Sequence, residues 1–234
     1  MKTLFYLVFT LFIINCYSQS ADILFENGVS KSISEDHRGA IIDYSKAIEI
    51  NPNFSEAYCN RGISKSILGD YIGAISDYSK AIEINPDFSE AYGNRGVSKN
   101  ILEDYRSAIS DFSKTIEINP KDSEAYCNRG IAKNKLEDHR GAIVDFSKAI
   151  EINPNNSMAY YNRGNAKSDL KDYKNAISDF SKAIVISPDY FYAYYDRGLV
   201  KLLLGEKNSA CLDFSKAGEL GFGEAYETIK EYCN

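Results

Sequence analysis

Charged side chains recur every 34 residues along most of this sequence. A lysine fills one position in six successive segments, at Lys31, Lys65, Lys99, Lys133, Lys167 and Lys201. An arginine precedes it by four residues in five of them, at Arg61, Arg95, Arg129, Arg163 and Arg197. An aspartate recurs as well, at Asp43, Asp77, Asp111, Asp145, Asp179 and Asp213. Because residues four apart share a helix face, we predict a ladder of Arg/Lys–Asp pairs between repeats, which fixes their register. The alternative is a basic groove that binds a carboxylate terminus.

Catalysis or metal binding needs a group of residues that occurs once, and no such group stands out. The two histidines, His37 and His139, fill a position that Tyr71, Tyr105 and Tyr173 hold in other segments. We therefore interpret both as aromatic side chains at a turn between helices. The sequence has no H-x-x-x-H, C-x-x-C, G-x-S-x-G or P-loop motif. We expect no catalytic residue, metal site, cofactor or small-molecule substrate.

Composition and charge narrow the class of partner. The chain has 234 residues, of which 44% are hydrophobic and 26% are charged, and its formal net charge is −6. These values are ordinary for a soluble globular protein. An acidic protein repels phosphate groups, so we expect no nucleic-acid partner and no binding to an anionic membrane surface.

The first 18 residues have the features of a secretory signal peptide. Lys2 supplies a positive charge, and the apolar run 4–14 is too short to span a bilayer as a helix. Cys16 and Ser18 then lie at −3 and −1 before a cleavage point, so we predict that the mature chain begins at Gln19. The predicted location is periplasmic or extracellular. The alternative is a lipoprotein acylated at Cys16, in which case the membrane would be a partner, although Asn15 fits that motif poorly.

The remaining sequence is an array of similar segments. The string A-Y-x-N-R-G occurs at 57–62, 91–96, 125–130 and 159–164, and again at 193–198 with Asp196 in place of the asparagine. Small residues recur in register, at Gly28, Gly62, Gly96, Gly130, Gly164 and Gly198 and at Ala40, Ala74, Ala108, Ala142, Ala176 and Ala210. With its 34-residue period, the array resembles the tetratricopeptide repeat (TPR) family. That resemblance implies an all-α fold, a right-handed TPR solenoid of six helix–turn–helix repeats plus a C-terminal capping helix.

We place the six repeats at 21–54, 55–88, 89–122, 123–156, 157–190 and 191–224, followed by a cap helix over 225–234. The second helix of a repeat should end before the proline that recurs at Pro52, Pro86, Pro120, Pro154 and Pro188. In the last repeat Phe222 replaces that proline, and three glycines are expected to break the second helix, at Gly218, Gly221 and Gly223. The cap should turn four side chains inward, from Ala225, Tyr226, Ile229 and either Tyr232 or Cys233.

The resemblance also implies a binding groove, because the first helix of each TPR lines the concave face of the solenoid. An amide row lies on that helix, at Asn60, Asn94, Asn128 and Asn162, and ends in Asp196. A primary amide can both donate to and accept from an extended peptide backbone, and the row is similar to the asparagine ladder in the TPR groove of O-linked N-acetylglucosamine transferase. The alternative is hydrogen bonding within the scaffold.

Other groove positions vary between repeats. Ile63, Val97 and Ile131, beside the small residues Cys59, Gly93 and Cys127, predict a shallow apolar channel. Its expected rim consists of Glu56, Glu90 and Glu124. Nearer the C-terminus, four aromatic side chains either contact a partner or pack against the cap, namely Tyr161, Phe191, Tyr192 and Tyr195.

Four cysteines remain after the predicted cleavage. Cys59 and Cys127 hold the same position two repeats apart, which places their Cα atoms beyond disulfide range. Cys211 and Cys233 both lie in the terminal unit of an exported protein, so we predict a disulfide between them.

We therefore predict a non-catalytic scaffold that binds an extended or helical segment of a partner protein or peptide. The alternative is a structural or assembly subunit of a cell-envelope complex that has no discrete peptide ligand.

Overall fold

The computed structural model describes residues 20–233, and every regular element among them is an α-helix. The described residues form two compact units, which divide between Ile118 and Asn119. The first unit contains α1 over residues 20–33, α2 (His37–Ile50), α3 (Ser55–Ile67), α4 (Tyr71–Ile84), α5 (Ser89–Ile101) and α6 (Tyr105–Ile118). The second contains α7 (Ser123–Lys135), α8 (His139–Ile152), α9 (Ser157–Asp169), α10 (Tyr173–Ile186), α11 (Phe191–Leu203), α12 (Lys207–Glu219) and α13 (Glu224–Tyr232). The predicted all-α fold of six helix pairs and a terminal helix is confirmed for these residues. The signal peptide 1–18, Cys16 and the start at Gln19 lie outside them.

Local sequence signals set the ends of the helices. The first helix of a pair closes with a left-handed residue: Asp70 N–H donates to the Lys65 carbonyl, and Gly69, at φ 84°, donates to Ser66. This is the Schellman arrangement, which satisfies the last carbonyls of a helix. The Asp70 carboxylate then accepts from Gly73 N–H and starts α4. Each second helix that precedes a proline ends one residue before the Asn or Ser at that step, as α2 does at Ile50.

The core of each pair is an aromatic ring that lies against a glycine. Tyr78 of α4 is 1% exposed, and a Cβ on Gly62 of α3 would lie 2.7 Å from its ring. The same contact recurs with Tyr44, Phe112, Phe146, Phe180 and Phe214. Fully buried alanines fill the space around each ring, for example Ala74 and Ala81. The glycine row therefore allows the two helices to approach closely, as the repeat pattern predicts.

The C-terminal end differs from the prediction in two details. Helix α12 continues through Gly218 to Glu219, so that glycine does not break it. In the cap helix α13, Ala225 and Thr228 are the buried residues, whereas Tyr226 and Tyr232 are 51% and 42% exposed. The prediction that Tyr232 or Cys233 turns inward is met by Cys233, which packs against the core together with Ile229. The ring of Tyr226 lies against Gly218 of α12 but leaves half of the side chain exposed, and the buried Thr228 was not predicted.

Candidate functional site

Charged side chains form a network inside each repeat. Arg61 Nε donates to Asp77 Oδ2 at 2.9 Å, and its Nη2 donates to Oδ1 at 2.6 Å. Lys65 Nζ lies 2.8 Å from the same carboxylate. Both cations come from α3 and the carboxylate from α4, so the ion pairs join the two helices of one repeat. The predicted ladder between repeats was wrong in this respect: the arginine reaches the preceding repeat only through Nη1, which donates to Ser45 Oγ at 3.0 Å.

The network recurs around Asp111, Asp145, Asp179 and Asp213. In the first repeat Asn27 replaces the arginine, and Lys31 alone pairs with Asp43. Each arginine also lies over a tyrosine ring, as Arg61 does over Tyr58 at 5.4 Å from the centroid. Because these aspartates are buried and doubly paired, the two cation rows hold the helices together. A basic groove for a carboxylate terminus therefore has no support from these rows in repeats 2 to 6.

The first helices of successive repeats touch one another, and we call the surface that they form the A-face. In the first unit α3 contacts α5, and in the second α7 contacts α9 and α9 contacts α11. The predicted amide row lies half-buried on the A-face of both units. Its members differ in their partners. Asn94 hydrogen-bonds the Cys59 thiol of the neighbouring repeat, and Asn162 Nδ2 donates to the Met158 carbonyl at 2.9 Å. Within the described residues, no hydrogen bond of the Asn60 side chain is found.

Two of the three small residues expected to line an apolar channel are buried in the core. Cys59 and Cys127 are 1% and 3% exposed and pack in core clusters. A Cβ on Gly93 would face Thr115 on the second helix of its own repeat. The two cysteines therefore offer no surface to a partner, whereas Gly93 is half-buried. Burial, with Glu90 as the next cause, raises the pKa of the Cys59 thiol to about 12, and burial raises the pKa of Cys127 to about 12.

The other predicted A-face residues lie nearer the surface. Ile63, Val97 and Ile131 are half-buried, and Ile63 and Ile131 pack against the core clusters beneath them. The predicted acidic rim is exposed, at Glu56, Glu90 and Glu124. The A-face of the first unit thus offers amides and carboxylates beside a half-buried aliphatic row.

The A-face of the second unit carries a polar cluster between α9 and α11. Tyr161 Oη donates to Asp196 Oδ2 at 2.7 Å, and the Tyr161 ring lies 4.9 Å from the ring of Tyr190. Burial raises the pKa of the Asp196 carboxyl, and the hydrogen bond from Tyr161 opposes that shift in part. Burial also raises the pKa of Tyr190 to about 12, with the Asp196 charge as the next cause.

The remaining aromatic residues near the C-terminus mostly cover the end of the core. Tyr195 packs on Phe214 and Phe222, and its hydroxyl lies 3.0 Å from Thr228 Oγ1 of the cap. Phe191 stacks on Phe222 at 5.4 Å. Tyr195 therefore contacts the cap, which was the alternative to partner binding. Cys211 and Cys233 form a disulfide with a Cα–Cα distance of 5.8 Å, which ties α12 to the end of the cap.

The histidines lie at the starts of second helices, where the sequence places them. His139 Nδ1 is 2.7 Å from Asn134 Oδ1, close to the turn between α7 and α8. Within residues 20–233, no three His, Cys, Asp or Glu side chains are grouped as a metal site. Over the same residues, no helix combines the length and hydropathy that crossing a membrane requires.

Comparison with known proteins identifies the family. Residues 55–88, 123–156 and 157–190 match one family described as tetratricopeptide repeat, and residues 89–122 match a second family of the same description. Together these matches cover more than half of the chain. The chain belongs to the tetratricopeptide repeat family. No curated protein sequence matches this TPR protein.

Solved TPR structures resemble this one. A structure of MamA is 28% identical, with a TM-score of 0.65 over 70% of this chain and 96% of its own. A TPR protein from Parabacteroides merdae ATCC 43184 is 26% identical, with a TM-score of 0.65 over 92% of this chain and 84% of its own. YrrB, a TPR protein with an unusual peptide-binding site, is 23% identical, with a TM-score of 0.66 over 80% of this chain and 97% of its own. Proteins of this family are protein-interaction scaffolds.

Sequence reasoning missed two A-face residues of this TPR protein. Asn165 fills the position of Ile63, Val97 and Ile131, and it hydrogen-bonds the Tyr161 hydroxyl. Tyr190 stands at the end of a repeat, yet its ring joins the Asp196 cluster. The signal for Asn165 was present in the sequence, since it is a polar residue in an aliphatic row. Tyr190 gave no such signal, because its position is occupied by Phe54, Phe88, Asp122 and Asn156 in other repeats.

Proposed function

We propose that this protein is a non-catalytic scaffold whose A-face binds an extended or helical segment of a partner protein. The observation that carries the proposal is the contrast between two sets of polar groups. The Asp row is buried, the Arg and Lys rows are half-buried, and all three are paired within repeats, whereas Glu56 and Glu90 are exposed and the half-buried Asn60 side chain forms no hydrogen bond with the described residues. Only the second set is available for recognition.

The chemistry of the first unit favours a partner segment of a particular kind. Exposed carboxylates border half-buried aliphatic side chains, Ile63 and Val97. A segment with apolar side chains flanked by lysine or arginine complements that surface. Side-chain amides add contacts to the backbone of the segment, which do not depend on its sequence. We propose no nucleic-acid, small-molecule or metal ligand.

We also propose that the protein is exported. The signal-peptide features of residues 1–18 support a partner in the periplasm or outside the cell, and acylation of Cys16 would instead anchor the scaffold to the envelope. Mass spectrometry of the purified mature protein tests this directly. A chain that starts at Gln19 supports export, a lipid-bearing Cys16 supports anchoring, and an intact Met1 contradicts both.

The binding proposal is tested with two single variants on first helices and a control variant on the second helices α4 and α6. A partner peptide is first selected from a displayed random library. Asn60→Ala should then weaken its affinity by up to about tenfold, since one hydrogen bond contributes about 0.5–1.5 kcal/mol, and should leave the melting temperature unchanged. Asn94→Ala should lower both, because that amide also bonds Cys59.

The control is Ser76→Ala combined with Ser110→Ala, two exposed positions on α4 and α6. These changes should alter neither affinity nor stability. Affinity that survives Asn60→Ala, or that falls equally in the serine control, would contradict the A-face as the binding surface.

As a second candidate function, the protein is a structural subunit of an envelope complex and packs against its neighbours through the edge that carries the turns between helices. The turn edge of the first unit carries six exposed aliphatic side chains, Ile33, Ile67, Leu68, Ile72, Ile101 and Leu102. Ile72 is 75% exposed, and arginine stands at its equivalent positions 38, 106 and 140. Ile72→Arg should therefore be tolerated by the fold. If this edge is the interface, the variant should lose co-purification with the complex while peptide binding at the A-face persists.

A further inference from the structure

The amide row changes character at its last position, on the A-face of the second unit. Four repeats carry asparagine there, and the sixth carries Asp196. The neighbouring positions change as well. The acidic rim position is Met158 in the fifth repeat and Tyr192 in the sixth, and the aliphatic position of the fifth is Asn165. The rim carboxylates of earlier repeats are thus absent from the fifth and sixth repeats. In the sixth repeat a carboxylate instead occupies the amide-row position.

Aromatic side chains lie beside this carboxylate. Tyr161 from α9 donates its hydroxyl to Oδ2. Tyr190, just before α11, lies 4.9 Å from the Tyr161 ring and 6.4 Å from the ring of Tyr192, to which it is perpendicular. Tyr192 precedes Asp196 by one helical turn and is 46% exposed, so it shares the same side of α11. Tyr161 thus bonds the carboxylate, Tyr190 lies against Tyr161, and Tyr192, which also contacts Phe191 and Phe222, flanks Tyr190.

The negative charge of this cluster is not neutralised from within the protein. The Arg197 side chain of the same helix is engaged by Asp213, as is Lys201. Among residues 20–233, no cationic side chain forms an ion pair with Asp196, and its Oδ1 accepts no hydrogen bond from them. A partly buried carboxylate without a counter-ion is energetically costly, and a cation supplied from outside would relieve that cost.

We propose that Asp196, Tyr161, Tyr190 and Tyr192 form a subsite for a cationic side chain, lysine or arginine, of the bound partner segment. The carboxylate supplies the opposite charge, and the faces of the phenol rings attract a cation further. An anionic group would be repelled by Asp196. An aliphatic side chain would leave the carboxylate without a partner. This inference rests on the proposed function of the A-face and names the chemistry of one residue that it recognises.

A small probe tests the subsite without any partner. n-Butylammonium carries the end of a lysine side chain, and 1-butanol is its uncharged counterpart. Binding of each is followed by chemical-shift titration at the ring resonances of Tyr161 and Tyr190. We expect n-butylammonium to bind about tenfold more tightly than 1-butanol, and this comparison requires no variant.

Two variants localise the effect. Asp196→Asn restores the residue of four other repeats, so the fold should be kept, and the preference for the ammonium should be lost. Asp189→Asn removes the same charge from an exposed position seven residues away and should keep the preference. Equal binding of the two probes to the natural protein, or a preference that persists in Asp196→Asn, would overturn the subsite.

Peptide selection separates this inference from the function on which it rests. The natural protein and Asp196→Asn each select binders from one displayed random library. Lysine or arginine enriched at a fixed position by the natural protein alone supports the subsite. Peptides selected without that enrichment overturn the subsite and leave the scaffold function standing. Failure to select any peptide counts against the scaffold function, and the ammonium titration then decides the subsite by itself.

Discussion

Two glycines three residues apart in helix α5 should respond in opposite directions to the same substitution. A Cβ on Gly96 would lie 2.8 Å from Cε1 and 3.0 Å from Cζ of Phe112, a ring that is 1% exposed. A Cβ on Gly93 would lie 3.7 Å from Thr115 Oγ1 and 3.9 Å from its Cγ2, which is ordinary contact. Gly93→Ala adds a methyl group that fits, whereas Gly96→Ala drives one into a ring that has no space to retreat.

The magnitudes follow from these distances. Replacing glycine by alanine inside a helix stabilises it by about 0.5–1 kcal/mol, and Gly93→Ala should gain that amount. Gly96→Ala gains the same from helix propensity but adds an overpacking cost of about 1–3 kcal/mol. Because the ring is enclosed, we take the upper part of that range, which leaves a net loss of about 1–2 kcal/mol.

The assay is urea unfolding followed by circular dichroism at 222 nm, with both variants and the natural protein measured in parallel. Helical repeat proteins can unfold in stages, so the midpoint of each transition is compared as well as the overall curve. Gly93→Ala should move the midpoint to higher urea and Gly96→Ala to lower. If both variants move the midpoint to higher urea, helix propensity alone explains the data and the close ring–glycine contact is refuted; if Gly93→Ala moves it to lower urea, the space assigned beside Gly93 is refuted.

Three further outcomes are expected. Reducing the Cys211–Cys233 bond, which closes a loop with a sequence separation of 22, should cost about 3 kcal/mol, and a Cys211→Ser/Cys233→Ser variant should no longer respond to reductant in thermal melts. Burial raises the thiol pKa values of Cys59 and Cys127 to about 12, so both should resist iodoacetamide at pH 8 and be alkylated only in denaturant. Peptide mass spectrometry measures this, and labelling of the folded protein would contradict their burial. Because burial raises the pKa of Asp196 above its unfolded value, ionisation at neutral pH weakens the folded state and protonation relieves this as pH falls through the raised pKa. The stability advantage of Asp196→Asn over the natural protein should therefore shrink toward acid pH in chemical denaturation, and an advantage that grows would show the sign to be wrong.

Periodic features of the sequence were sufficient to predict the repeating part of this protein. A 34-residue period with glycine and alanine rows predicts helix pairs, because only small residues at fixed positions let two helices approach. The prolines mark the ends of second helices through local backbone chemistry alone. These signals act over a few residues and repeat several times, so single exceptions such as Phe222 do not obscure them.

Contacts between residues far apart in the sequence were harder to predict. The recurrence of Arg61, Lys65 and Asp77 predicted that such residues pair, yet only the folded chain shows that the pairs form within one repeat and that the link to the preceding repeat goes through Ser45. Cys59 was expected at the surface and lies in the core. Successive side chains along a helix point in directions about 100° apart. The 34-residue spacing alone does not determine which of these directions faces the core.

The A-face shows the same division between sequence and tertiary structure. The sequence by itself determined which residues share the first-helix face, including the row from Asn60 to Asp196, because a helical repeat places equivalent positions in line. Tertiary packing decided what surrounds each member. It left Asn60 without a hydrogen bond from the described residues and bonded Asn94 to a thiol. It placed Asp196 beside Tyr161 of α9 and near Tyr190 in the segment before α11. The physical reason is that periodicity sets the direction of a side chain, whereas its burial, its partners and its charge environment depend on neighbours about 34 residues away along the chain.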